Sequence, residues 1–151
     1  MQFASEICHG TGMKKAQRQA APPPCPINAA LLVLGDRWSL LIVRNLMFAR
    51  STSFSELQRL GEGVATNILT DRLAKLVDMG AIEKRPDAQD GRKWIYKLTE
   101  KGFDLAPILL ELSRWGVKYQ KGIAPDGVLE AYESDRKRFL AGLRTGRTHN
   151  G

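Results

Sequence analysis

The chain has 151 residues, of which 43% are hydrophobic and 26% charged, as expected of one globular domain with a sizeable core. Two cysteines are too few for a disulfide scaffold, and no Cys/His spacing suits a structural zinc site. No apolar run approaches the ~20 residues that span a bilayer, and the first residues lack the apolar stretch of a signal peptide. These features predict a cytoplasmic protein that needs no metal or cofactor.

The net charge of +7 permits nucleic-acid binding but does not establish it. Basic residues outnumber acidic ones by two in residues 1–25, by three in residues 26–98 and by two in residues 99–151. Because the excess is spread so evenly, the placement of individual charges has to decide whether the protein binds nucleic acid.

The first 24 residues are predicted to form a flexible tail, because they are small and polar and end in three consecutive prolines. Met13 is a possible alternative start of translation, which would leave Cys8 and His9 outside the natural protein. His9 and His149 lie in opposite tails and belong to no metal or catalytic constellation.

Three helices are predicted after the tail. Pro26 suits the first turn of the first helix and Gly35 its end. Asp36 can cap a second helix over residues 37–48, which is apolar on most sides and therefore central in its domain. A third helix, over residues 53–60, opens on the Ser-x-x-Glu sequence of a capping box.

A fourth helix and a hairpin follow. The helix covers roughly residues 66–79, and Gly80 stops it. Residues 82–85 and 94–98 are predicted as strands, and Asp90-Gly91 between them is a strong turn signal.

Two longer helices complete the chain. Thr99 can cap the first, and Pro107 within its apolar stripe predicts a kink or a restart. The last helix covers about residues 127–143, and the end of the chain is predicted to fray after Arg144. We therefore divide the chain into the tail, a domain over residues 25–121 and a C-terminal segment over residues 122–151.

This order of elements is the layout of a winged helix-turn-helix, a mainly α fold with a small β-hairpin. The fourth helix is then the recognition helix and residues 86–93 the wing. Thr66, Asn67, Thr70 and Asp71 would face outward near the start of the recognition helix, where such helices reach base edges. Asn can bond adenine with two hydrogen bonds, and Thr can contact thymine. Asp71 would repel phosphate, and it fits only if it accepts from cytosine or an arginine.

The charges around these residues favour DNA binding over a merely solvated surface, which a polar helix face also indicates. Arg72 and Lys75 are better placed for phosphate than for bases. A hairpin tip that carries Arg92 and Lys93 can enter a minor groove or clamp a phosphate. Five basic residues lie within fourteen around this hairpin: Lys84, Arg85, Arg92, Lys93 and Lys97.

These residues carry a family resemblance. The sequence from about Cys25 to Tyr119 resembles the HxlR-type regulators, and the ordered combination of motifs is far more specific than any one of them. The motifs are Cys25-Pro26, Gly35-Asp36-Arg37-Trp38-Ser39-Leu40-Leu41-Ile42, Phe54-Ser55-Glu56-Leu57, Leu69-Thr70-Asp71-Arg72-Leu73, Gly80-Ala81-Ile82, Tyr96-Lys97-Leu98-Thr99-Glu100-Lys101-Gly102 and Trp115.

The resemblance implies a homodimeric, one-component bacterial transcription factor related to the MarR group. It also implies dimerisation helices on both sides of the winged domain, and residues 122–151 are accordingly predicted to take part in dimerisation. Each subunit would place one recognition helix in one half-site of a pseudo-palindromic double-stranded operator. The chain departs from the family at Ala65, where a capping Ser is common, so Thr66 is the candidate cap. The wing, with Asp90-Gly91-Arg92-Lys93, is more similar to that of MarR proteins.

Cys25 is the candidate redox-sensing residue. It precedes a helix N-terminus, where partial positive charge favours the reactive thiolate, and in some HxlR-type proteins the matching cysteine senses oxidants or electrophiles. An inert, partly buried cysteine fits the sequence equally well. The effector, whether a small molecule or an oxidant, is not specified by the sequence.

One competing function class remains open. A winged helix can use a basic wing to bind an acidic protein partner instead of DNA. An enzyme is a distant third, because the sequence has no Gly-rich phosphate loop, nucleophile elbow or paired-carboxylate spacing.

Overall fold

The computed structural model describes residues 25–49, 52–60, 62–124 and 127–145. The predicted tail with Cys8, His9 and Met13, and the predicted frayed end with His149, lie outside the described residues.

Four helices form the first half of the fold: α1 (Pro26–Leu34), α2 (Arg37–Phe48), α3 (Phe54–Leu60) and α4 (Thr66–Asp78). The capping interactions predicted at the starts of α2 and α3 are both formed. The Asp36 carboxylate accepts hydrogen bonds from the backbone N–H groups of Trp38 and Ser39, both at 2.9 Å. The capping box before α3 also forms, because the Glu56 carboxylate accepts from the backbone N–H of Ser53 at 2.9 Å.

Strands β1 (Ile82–Pro86) and β2 (Trp94–Leu98) pair antiparallel, with Ile82 opposite Leu98 and Pro86 opposite Trp94. The predicted hairpin is therefore confirmed, and its loop is the predicted wing. Gly80, with φ of +74°, ends α4 in a left-handed conformation that favours glycine. The Ala81 N–H then reaches the Leu76 carbonyl at 3.0 Å, which turns the chain directly from α4 into β1.

After the hairpin, the predicted interruption near Pro107 is a restart. Helix α5 (Glu100–Phe103) is capped by Thr99, and α6 (Ala106–Tyr119) begins with Pro107 in its first turn. Backbone N–H groups in the first turn of a helix have no partner within the helix. Proline, which lacks an N–H group, therefore fits there and does not kink the helix.

The single C-terminal helix predicted over residues 127–143 is wrong. The chain forms two helices instead, α7 (Gly127–Ser134) and α8 (Arg136–Thr145). Asp135 separates them, and its carboxylate accepts a hydrogen bond from the Arg138 N–H at 3.0 Å, as a cap does. Helix α7 packs on α6 and α8 packs on α5 of the same chain.

The hydrophobic core joins all these elements. Helix α2 is its centre, as predicted, and packs against α1, α3, α4, α6 and β2. Leu69, Leu73 and Leu76 form the buried face of α4, while Leu129, Tyr132 and Leu143 extend the core into α7 and α8. The C-terminal pair is therefore part of the folded body of one chain.

Within the described part of the chain, none of the helices is by itself long and apolar enough to cross a bilayer. Helices α1 and α2 satisfy those two criteria only as a pair, and that pair is bent by 80°.

Candidate nucleic-acid interface

The first turns of α4 present an exposed polar face. Thr66, Asn67, Thr70 and Asp71 are all exposed, as the sequence predicts, and the opposite side of the helix is in the core. The Asn67 amide makes no hydrogen bond to any described residue, so it keeps its donors and its acceptor for an external partner. Thr70 donates its hydroxyl to the Thr66 carbonyl at 2.8 Å, which leaves its methyl group and its oxygen lone pairs accessible.

The proposed capping role of Thr66 is wrong. Ala65 occupies the N-cap position of α4, and no side chain caps the helix there. Thr66 lies one residue inside the helix, where its hydroxyl accepts a hydrogen bond from the Gln58 amide at 2.7 Å. This contact joins α3 to the start of α4 across the turn between the two helices. The role of Gln58 is not evident from the sequence, because no local pattern links a residue of α3 to one eight positions later.

Arg72 is turned toward the protein. Its Nε lies 3.3 Å from the Asp36 carboxylate, and the two side chains are only 28% and 21% exposed. The buried Nε makes no hydrogen bond within the described chain, so this contact is an ion pair without a hydrogen bond. The Asp71 carboxylate lies 3.3 Å from Nη1 of the same guanidinium. Arg72 is thus an arginine partner for Asp71, one of the two partners that the sequence allows for this carboxylate. Burial would raise the pKa of Asp36, but hydrogen bonds from Ser39 and Trp38 and the charge of Arg72 together lower it.

Lys75 is also engaged within the chain. Its ammonium donates to the Leu32 carbonyl in the last turn of α1 at 3.2 Å, where the helix dipole favours a cation. Arg72 and Lys75 thus connect α4 to the start of α2 and the end of α1. Their predicted contact with phosphate stays a prediction, and both cations have partners inside the protein.

The wing is organised around Asp90. Its carboxylate accepts from the backbone N–H of Arg92 at 3.2 Å and lies 3.4 Å from the Lys93 ammonium. The hydrogen bond from the Arg92 backbone is the main reason why the pKa of Asp90 is lowered. The Arg92 side chain nevertheless remains 93% exposed. The Arg92 Nε also donates to the Asp90 carboxylate at 3.3 Å, so Asp90 shapes the loop and orients the exposed Arg92 side chain at its tip.

The rest of the hairpin is basic and exposed on both strands. Lys84 lies over the Trp94 ring at 4.6 Å, and Arg85 pairs with Glu83 at 2.7 Å. Lys97 is exposed on β2. The five predicted basic residues are all at the surface, and the contacts with Asp90, Glu83 and Trp94 limit how far four of them move.

Cys25 lies at the N-cap of α1, and it is an exposed free thiol. Its side chain makes no capping hydrogen bond. The described residues contain no cluster of His, Cys, Asp or Glu that could hold a metal ion.

Two apolar helix faces have no cover within the described chain. Helix α1 exposes Ile27, Leu31 and Leu32. Helix α6 exposes a stripe at helical spacing, and within it the Trp115 and Tyr119 rings lie 5.4 Å apart. The stripe consists of Ile108, Leu112, Trp115 and Tyr119. Residues at this spacing are expected in a core or in an interface, and those of both faces lie outside the core that the described residues form.

The helix order, the two-stranded hairpin and the solvent-facing start of α4 define a winged helix-turn-helix protein. Comparison with known proteins gives the same class. A sequence profile of HxlR-like helix-turn-helix proteins matches residues 33–123. The chain belongs to this family, whose members are transcriptional regulators.

Individual relatives agree with this assignment. An uncharacterised helix-turn-helix-type transcriptional regulator of Mycobacterium tuberculosis, MT3179, is 36% identical over 93 residues, which cover 62% of this chain and 58% of that protein. The alignment thus spans less than two thirds of the length of this relative.

Two solved structures share the fold. The crystal structure of PA1607, a candidate transcription factor, is 42% identical with a TM-score of 0.59 and covers 68% of each chain. The redox regulator HypR in its oxidised form is 28% identical with a TM-score of 0.55, covering 64% of this chain and 99% of HypR. Helices α7 and α8 lie beyond the region that the family profile matches.

Proposed function

We propose that the protein is a cytoplasmic, one-component transcriptional regulator that binds a pseudo-palindromic double-stranded operator as a homodimer. The observation that carries the proposal is the start of α4, which is exposed, polar and free of bulky side chains. Recognition helices contact base edges with this part of their surface. The basic hairpin that directly follows α4 supplies the charge that phosphate binding needs.

We assign different tasks to the polar and basic residues. Thr66, Asn67 and Thr70 specify bases, and Asp71 adds to this readout or orients Arg72. On the wing, Arg92 and Lys93 bind phosphate or enter the minor groove. We assign Arg72 and Lys75 to holding α4 in place, since both already have partners at the ends of α1 and α2.

The two uncovered apolar faces support the homodimer. Large apolar patches on a soluble monomer indicate an interaction site, and Trp115 is 57% exposed. We propose that α1 and α6 of one subunit cover the same helices of its partner. The two recognition helices would then meet half-sites about 34 Å apart, one turn of DNA.

Binding to the DNA upstream of the protein's own gene tests this proposal. We expect a shifted band in a gel-shift titration that competitor DNA of unrelated sequence does not remove at equal concentration. If no duplex from this region is shifted while an acidic protein partner is bound, the function is protein interaction and the proposal is wrong.

We further propose that Cys25 makes DNA binding sensitive to oxidants. The thiol is exposed at a helix N-terminus, and HypR, which shares the fold, is described as a redox regulator. Peroxide or a quinone should release the operator from the wild type and not from Cys25→Ser. An unchanged response of Cys25→Ser to the oxidant would exclude this role of Cys25.

A further inference from the structure

A cavity of about 170 Å³ lies between α2, α6 and α7. Phe48 of α2, Leu109 of α6 and Val128 of α7 form apolar walls. Arg44 and Asn45 of α2 and Ser113 of α6 form the polar part of the lining. The site combines two helices of the family region with α7, which lies outside it.

The guanidinium of Arg44 is held in place but not saturated. Its Nε and Nη2 both donate to the Asn45 side-chain oxygen, at 3.1 and 3.0 Å, and its Nη1 donates to the Glu62 carboxylate at 3.0 Å. A guanidinium has five N–H groups, so these contacts within the described chain leave one on each terminal nitrogen. Two such groups are what a carboxylate needs for a bidentate pair.

The charges at the cavity favour an anion. Arg44 is the only charged residue among those that line it in the described chain. Glu62, its partner, is a surface residue with a side chain that is 46% exposed, so water weakens its competition for the guanidinium. A carboxylate near Arg44 would therefore gain charge-assisted hydrogen bonds, and none of the described lining residues is acidic.

The size and the apolar walls define the rest of the ligand. An apolar cavity of about 150 Å³ in another protein binds benzene, so this one has room for a single ring. We propose that the cavity binds a small organic carboxylate whose apolar body is about one ring in size. The ring would contact Phe48, Leu109 and Val128, and the carboxylate would pair with Arg44.

Such a ligand would act on the proposed function through α2. This helix lines the cavity and also packs against α4, and Asp36 at its start holds Arg72 of α4. The regulatory consequence rests on the proposed DNA binding, whereas ligand binding itself does not.

Titration calorimetry on the full chain without DNA tests the site directly. We expect benzoate to bind once per chain with a dissociation constant below about 1 mM, and benzylamine and acetate to bind at least tenfold more weakly. Arg44→Gln should weaken benzoate at least tenfold. The matched control Arg114→Gln, which removes the same charge from α6 outside the cavity, should leave benzoate binding unchanged.

Two further variants keep the test decisive if Arg44→Gln does not fold. Glu62→Gln removes the negative charge that competes with a ligand carboxylate for Arg44, and this variant should bind benzoate at least as tightly as the wild type. Ser113→Phe should fill the cavity and abolish binding, whereas Ser55→Phe on α3 should not. The proposal is overturned if the wild type binds no benzoate at about 10 mM, tenfold above the expected upper limit of the dissociation constant. It is also overturned if the Ser113→Phe and Ser55→Phe variants bind benzoate equally. A failed gel shift with intact benzoate binding would contradict only the DNA-binding function.

Discussion

Replacing Arg72 separates two roles that the sequence cannot distinguish. Arg72→Met keeps most of the apolar stem and removes the guanidinium, which lies 3.3 Å from Asp36. Exposed ion pairs contribute about 0.2–1 kcal/mol, and removing one partner of a fully buried pair costs about 3–5 kcal/mol. At 28% and 21% exposure the pair lies between these limits. Asp36 also keeps its hydrogen bonds from Ser39 and Trp38. The buried Arg72 Nε makes no hydrogen bond within the described chain. We therefore expect Arg72→Met to lower the free energy of unfolding by about 1 kcal/mol, the upper end of the range for exposed pairs.

Urea denaturation and the salt dependence of DNA binding measure the two roles independently. The loss of stability should move the urea midpoint down by about 0.5 M at unchanged slope. A phosphate contact contributes about 0.9 to the slope of log K against log salt. Arg72→Met should leave this slope as in the wild type, while Arg92→Met, the exposed control, should reduce it by about 0.9 per subunit.

The opposite pattern would refute this account of Arg72. Suppose that Arg72→Met has the wild-type urea midpoint and reduces the slope of log K against log salt as much as Arg92→Met does. The Arg72 guanidinium then binds phosphate, and its contact with Asp36 contributes nothing to stability. A double-mutant cycle with Asp36→Asn adds an internal check. The two substitutions should be less than additive, because each removes the same interaction.

Three further predictions concern pH, assembly and the C-terminal helices. Because the pKa of Asp36 is lowered from 3.8 in the folded state, its stabilisation is complete above that value and is lost as the pH falls through the folded pKa. Asp36→Asn should thus be about 1 kcal/mol less stable than the wild type at pH 7, and the difference should shrink in urea titrations below pH 4. Leu112→Glu should convert the dimer to a monomer in light scattering with unchanged circular dichroism, since the side chain is exposed in the single chain; a dimer that persists would place the interface elsewhere. Leu143→Ala should cost about 2–3 kcal/mol in urea denaturation, because the side chain is only 5% exposed; a loss below about 0.5 kcal/mol would mean that α8 adds nothing to the core.

The sequence predicts elements best where local chemistry sets their ends. The limits of α2 follow from the Asp36 cap and a dense apolar segment, and the hairpin follows from the Asp90-Gly91 turn between two short strand segments. The break between α7 and α8 escaped prediction for a local reason as well. Apolar residues on both sides of Asp135 keep helical spacing, so a capping aspartate resembles one more polar position on a continuous helix.

The site is less predictable, because long side chains reach residues far away in sequence. The exposed start of α4 follows from the spacing of its leucines, since short polar residues stay where the backbone puts them. Arg72 and Lys75 also lie on polar positions of the helix, but they extend to Asp36 and to the Leu32 carbonyl. No periodicity indicates such contacts. The cavity beside Arg44 depends on how three helices pack, and it too is invisible in the sequence.

In the proposed function, α4 identifies the operator and the wing supplies sequence-independent affinity. Fluorescence anisotropy with the upstream operator and with a shuffled duplex, at one salt concentration, tests it most directly. Asn67→Ala should lose about 1–3 kcal/mol on the operator and almost nothing on the shuffled duplex. Arg92→Ala should weaken binding to both duplexes by the same factor. If Asn67→Ala keeps the wild-type preference for the operator, α4 does not read the bases and the account is wrong.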